Sequence, residues 1–138
     1  MRQLGVEADQ LQLTSVRVLV VDDMVAIREV VAGILERHGA TVSAAGSGEE
    51  ALDLLQEWRP DVLVSDLDMP DKDGYWLIAQ VRALSVEYGG ETPAAAMTGR
   101  TGPEDRARVL RAGFQYHLAK PIDQAILTGV VAILALKR

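Results

Sequence analysis

The chain has no cysteine in its 138 residues. That excludes a disulfide framework and any thiolate metal site, and it fits a reducing compartment. Basic charge is in deficit: 14 Lys and Arg stand against 20 Asp and Glu, a net charge of −6. A non-specific nucleic-acid binder would be basic, so direct nucleic-acid binding is not expected. No apolar run reaches the ~18 residues that a membrane-spanning helix needs. The start, "MRQLGVEADQ", lacks the charged-then-apolar pattern of a signal peptide. Direct membrane contact is therefore not expected, and the expected location is the cytoplasm. Internal repeats and low-complexity tracts are missing too, and the length suits a single domain.

What is present is an alternation of two hydrophobic patterns. Residues 1–14 carry no clear period and read as an N-terminal extension or linker; residues 15–138 read as the domain. "VRVLVVDD" (16–23) is a β-branched run suited to a strand buried on both faces. Ile27, Val30, Val31, Ile34 and Leu35 then share one helical face, and Gly39 stops that helix. "ATVSAAG" (40–46) reads as a second strand. Ser47 to Glu50 has capping-box spacing, and Pro60 closes the helix it opens. "DVLVSD" (61–66) is a third strand, followed by a loop and a helix bearing Leu77, Ile78, Val81 and Leu84.

"TPAAAMT" (92–98) is a strand of weak propensity, because alanine is a poor strand former. Thr101 to Glu104 has capping-box spacing again, before a helix that stops near Gly113. "QYHLAK" (115–120) is the fifth strand, and Pro121 is expected to pre-set the first turn of the last helix. Strand and helix alternate five times, which implies an α/β fold with a mostly parallel sheet.

Ligands of open α/β sheets bind beyond the carboxyl ends of the strands. Strand one ends in Asp22 and Asp23, strand three in Asp66, strand four in Thr98 and strand five in Lys120. Crowded carboxylates raise one another's pKa unless a cation lies among them. An oxygen-only set with few protein ligands favours Mg²⁺. One carboxylate can then attack phosphorus, while a lysine and a hydroxyl stabilise the transferring group.

"VLVVDD", "VLVSDLDMPDKDG", "AAMTG" and "LAKPI" resemble, in order and spacing, the four signature blocks of response-regulator receiver domains of two-component signalling. The resemblance covers roughly residues 15–138. It implies a flavodoxin-like (βα)5 three-layer sandwich with strand order 2-1-3-4-5. It implies that Asp66 accepts phosphate from a histidine kinase or a histidine phosphotransfer protein. Asp22, Asp23 and Asp66 would hold Mg²⁺, with Asp68 helping through its backbone carbonyl. Thr98 would be the switch hydroxyl and Lys120 the partner of Asp66, with a cis Lys120–Pro121 bond. Such a domain is a phosphoacceptor, not a turnover enzyme. "SDLDMP" also resembles the nucleophile motif of haloacid-dehalogenase-type phosphatases, although there the motif comes first and the paired acids last. A degenerate receiver that only binds proteins is the third reading.

The remaining aspartates of the acidic loop suit structural tasks: Asp71 a turn with Pro70, Asp73 the cap of the third helix. Asp68 and Arg100 border the same pocket and are expected to pair across it. The receiver family often has tyrosine or phenylalanine where this chain has His117. A histidine there reads either as a pH-responsive group or as a solvent-facing residue, and Tyr116 should point to the opposite face. "HLAKP" resembles receivers attached to hybrid histidine kinases, which leaves room for a longer parent with kinase activity. Trp58, Tyr75 and Trp76 read as packing residues, and His38 as a partner of its helix dipole.

In the last helix, Ile122, Ile126, Gly129, Val130 and Ile133 form the expected core stripe. Leu127, Val131, Leu134 and Ala135 then lie outward. Outward apolar residues fit either an interface, including a homodimer, or a face that another domain covers.

Overall fold

The computed structural model describes residues 12–138. The expected extension at 1–14 lies mostly outside the described residues. Five strands form one parallel sheet in the order β2-β1-β3-β4-β5. They are β1 (Arg17–Val21), β2 (Thr41–Ala45), β3 (Val62–Asp66), β4 (Ala94–Thr98) and β5 (Tyr116–Ala119). The helices are α1 (Val25–Arg37), α2 (Gly48–Trp58), α3 (Gly74–Arg82), α4 (Pro103–Ala112) and α5 (Gln124–Ala135). A 3-10 turn, Val86–Tyr88, lies before β4 and had no signal in the sequence pattern.

Alternation along the strands builds the three layers. Val18, Val20, Val62, Val64, Ala95 and Met97 face one core, closed by α1 and α5 through Val31, Leu35, Leu127 and Leu134. Leu19, Val21, Leu63, Ala94 and Ala96 face the other, closed by α2, α3 and α4 through Leu55, Leu77, Ile78, Val81 and Val109. The three central strands are therefore apolar on both sides, as buried parallel strands must be. β4 succeeds despite its alanines because all five of its residues are buried between two helical layers. Tertiary burial overrides weak propensity there.

Three local expectations need correction. α4 has no Thr101 capping box: Gly102 is its N-cap and makes no side-chain bond. Pro103 fixes the first helical φ and lacks an N–H to be capped, so the helix begins on the proline itself. Pro121 does not open α5; the Lys120–Pro121 bond is cis and lies in the preceding loop. α5 starts at Gln124, and the Asp123 carboxylate accepts from Ile126 N–H at 3.0 Å.

The third correction concerns the faces of α5. Leu127, Val131, Leu134 and Ala135 are buried, while Ile126 and Ile133 are 58% and 44% exposed. The reason is the sheet itself. The gap beside Val64 and Met97 takes the wider stripe Leu127, Val130, Val131 and Leu134, which share the first core with them. Ile126, Gly129 and Ile133, spaced by three and four, are left on the outer side, and the space over Gly129 is open.

Arg82 joins the starts of β4 and β5. Its guanidinium donates to the carbonyls of Gly90 and Thr92, which precede β4, and to that of Gly113, which precedes β5. Gly113 has φ +124°, and a Cβ there would press on the Arg82 stem. His38 sits at the C-terminus of α1, where its Nδ1 donates to the Ile34 carbonyl at 2.9 Å. It is buried, and its Nε2 has no hydrogen-bond partner among the described residues.

Candidate functional site

The carboxyl ends of β1, β3, β4 and β5 bring the sequence candidates together. Asp22 and Asp66 are buried, and Asp23 is half-buried. Carboxylate oxygens of Asp22, Asp23 and Asp66 all lie within 4.8 Å of one another. Lys120 reaches in from beyond β5. Its Nζ donates to Asp66 Oδ1 at 2.9 Å and to Asp22 Oδ2 at 3.3 Å. Asp66 Oδ1 also accepts from the Asp68 N–H at 3.3 Å, and Asp22 Oδ1 from the Met24 N–H at 2.9 Å.

Three acids share one ammonium, and the electrostatics show the imbalance. Burial pushes the Asp22 carboxyl above its ordinary value. The Met24 N–H opposes that shift, the nearby Asp66 charge adds to it, and Lys120 compensates in part. For Lys120, partial burial works to lower the pKa, but the bond and charge of Asp66, then those of Asp22, outweigh it. The net displacement is upward, so the ammonium is held charged. An oxygen-only cluster with surplus negative charge suits a hard divalent cation.

Thr98 is buried at the end of β4. Its Oγ1 accepts from the Arg100 N–H at 3.0 Å. The Asp68 carboxylate does not join the acidic cluster. It turns to the rim and pairs with Arg100 Nη2 at 2.5 Å, both side chains being about half exposed. The pairing expected across the pocket is therefore formed.

The other aspartates of "VSDLDMPDKDG" divide the labour as expected. Asp71 takes the turn, with φ +69°. Asp73 caps α3, accepting from Trp76 N–H at 2.8 Å. Gly74 lets the loop fold back on β3, because a Cβ there would run into the Asp66 carbonyl and the Leu67 backbone.

One participant went unnoticed in the sequence, and so did the bonding partner of another. Arg28 of α1 donates to the Asp22 carbonyl at 2.8 Å, passing over Gly46, where a Cβ would obstruct the guanidinium. Its one signal is a glycine at the end of β2 facing an arginine one turn into α1. The other is His117: its Nε2 lies 3.0 Å from the Arg100 carbonyl. It is neither free in solvent nor packed as a plain aromatic, and Tyr116 lies on the other face, against the first core. Trp58, Tyr75 and Trp76 pack as expected, each with a cation over its ring.

A family model described as the response regulator receiver domain matches residues 18–132. The 14.6 kDa protein of the sodA1 3′ region of Leptolyngbya boryana is 43% identical over 120 residues, 86% of this chain and 89% of that one. Response regulator MprA of Mycobacterium bovis is 40% identical over 107 residues, and the match spans 78% of this chain but only 45% of MprA. Among solved structures, the chemotaxis protein CheY4 of Vibrio cholerae is similar at a TM-score of 0.78 and 32% identity, covering 86% of this chain and 98% of that one.

Proposed function

Because the chain belongs to the response regulator receiver domain family, we propose that Asp66 takes a phosphoryl group from a phosphohistidine of a histidine kinase or a histidine phosphotransfer protein. The observation that carries this reading is the Lys120 ammonium bonded to Asp66 and Asp22 inside a cluster of three carboxylates. An Asp66 oxygen attacks phosphorus, the phosphorus–nitrogen bond breaks, and the donor imidazole leaves. Lys120 holds the acceptor in line and offsets the charge that gathers on the phosphoryl oxygens. The Thr98 hydroxyl, one strand away, turns from the Arg100 N–H to donate to one of those oxygens. Asp22, Asp23, Asp66 and the Asp68 carbonyl would hold Mg²⁺, which when bound supplies further charge neutralisation at the transferring group.

A donor must approach beside Lys120. An apolar groove of about 300 Å³, lined by Ala26, Ile27, Val30, Lys120, Pro121 and Ile122, borders that side and suits docking of such a partner. The outward stripe of α5 suits a homodimer. Among the described residues no helix is long and apolar enough to cross a membrane. The family assignment replaces the phosphatase alternative, and labelling separates an active receiver from a degenerate one.

The test is incubation with Mg²⁺ and acetyl phosphate, read by intact mass. Wild type and Asp71→Asn should gain one phosphoryl group, and Asp66→Asn none. Labelling of Asp66→Asn to the wild-type level would place the acceptor elsewhere.

A further inference from the structure

Arg100 is held at its backbone N–H, at its side chain and at its carbonyl. Its N–H donates to Thr98 Oγ1 at 3.0 Å, its guanidinium pairs with Asp68 at 2.5 Å, and its carbonyl lies 3.0 Å from His117 Nε2. A carbonyl can only accept, so the proton must sit on Nε2 and the ring donates. The first two contacts come from groups at the mouth of the phosphoacceptor pocket. The third comes from β5 and holds Arg100 itself, two residues beyond the end of β4, to the neighbouring strand.

Without it, Arg100 would be tethered by a hydroxyl that is itself expected to turn away, and by an ion pair about half exposed on both sides. Exposed pairs of long side chains hold little by themselves, because ordering them costs what the attraction returns. A guanidinium becomes an effective cover only when its backbone is already fixed.

Resting on the phosphoacceptor reading above, we infer that His117 is a positioning residue for the lifetime of the phosphoryl group. Its bond to the Arg100 carbonyl fixes the Thr98–Arg100 segment and so keeps the Arg100 side chain against Asp68 over the pocket mouth. In hydrolysis, a water oxygen attacks phosphorus and the bond from phosphorus to the Asp66 oxygen breaks. The carboxylate and inorganic phosphate are released, and the protons of the water leave with the phosphate or pass to buffer. The clamped Arg100–Asp68 pair stands in the path of that water. His117 touches neither phosphoryl group nor water and acts through Arg100.

The experiment labels the protein with acetyl phosphate and Mg²⁺, removes the donor, and follows loss of the phosphoryl group by intact mass. His117→Phe keeps a ring and loses the donor; His117→Gln keeps an N–H that can reach a carbonyl. Thermal melts confirm that each variant is folded. His117→Phe should shorten the lifetime about threefold, the scale of one partly exposed contact. His117→Gln should restore most of it. Arg100→Ala should shorten it at least as much, and adding His117→Phe to Arg100→Ala should change nothing further.

The inference is overturned if His117→Phe decays like wild type, if its effect persists in the Arg100→Ala background, or if His117→Gln behaves like His117→Phe. If the wild type takes no label, the phosphoacceptor reading itself falls, and the claim about lifetime with it. A labelled wild type with a lifetime indifferent to His117 sinks the clamp alone.

Discussion

β4 and β5 are neighbours, and each leads to one arm of the site, Thr98 and Lys120, yet the helices that follow are held in opposite ways. α4 buries a single residue, Val109, and has no side-chain cap. α5 buries Leu127, Thr128, Val130, Val131, Leu134 and Ala135, and is capped by Asp123. Lys120 thus stands before a helix locked into the first core, whereas Thr98 stands before one held by little more than one valine. Segments with few buried apolar contacts open at low free energy. On the proposed phosphoacceptor reading, a charge that stays fixed and a hydroxyl that turns call for supports of unequal stiffness, and these two helices provide them.

The contrast breaks most visibly in core substitutions. Leu134→Ala should cost about 2–5 kcal/mol by urea denaturation, as for a well-packed leucine, and Val109→Ala only about 1–2 kcal/mol. Equal costs would mean that α4 is held as firmly as α5. A charge at Leu127 or Val131 should unfold the protein outright, because both side chains are fully buried.

Next in size is the effect of pH at the stiff arm. Folded Asp22 keeps its proton to higher pH than the unfolded chain does. Stability therefore falls as pH rises from about 4 through that raised value, and stays lower above it. Asp22→Asn should accordingly be more stable than wild type at about pH 7 in chelator, and adding Mg²⁺ should narrow the gap by stabilising wild type. Lys120 has the opposite sense: its raised value means that its contribution is full below the ordinary lysine range and lost only as pH rises beyond it. A wild-type protein more stable than Asp22→Asn in chelator would show that burial of Asp22 is fully compensated.

Hydrogen exchange sharpens the comparison without mutation: amides of α4 should exchange at least about tenfold faster than those of α5, a difference of about 1.4 kcal/mol in opening. The smallest effects belong to the outer surface. Leu110→Glu and Ile133→Glu should each change stability by less than about 0.5 kcal/mol. Ile126→Glu with Ile133→Glu should nonetheless abolish any dimer seen by light scattering, while Leu110→Glu leaves it intact.

The sequence carried the sheet, the helix order and the five polar residues at four strand ends, because apolar strands that stop at Asp22 and Asp23, Asp66, Thr98 and Lys120 bring those side chains to one edge in any parallel arrangement of neighbours. Asp71 and Asp73 were legible because turn and cap chemistry is local. The faces of α5 were not. When nearly every residue of a helix is apolar, periodicity carries no phase, and only the shape of the sheet decides that Leu127 enters and Ile126 stays out. The caps at Thr101 and Pro121 misled because a proline nearby changes where the first turn can begin. Arg28 and the His117 contact were hidden because each is a side chain bonded to a backbone carbonyl some way off in sequence, and carbonyls leave no trace in residue identity.

Arg82 has a bearing on how far local damage would spread. One guanidinium gathers the carbonyls at the entrances to two strands, so those entrances share a single anchor, supplied by α3. β4 and β5 run in register from that anchor to the opposite end, where Thr98 and Lys120 stand. Loss of one α3 side chain would loosen both arms of the site at once.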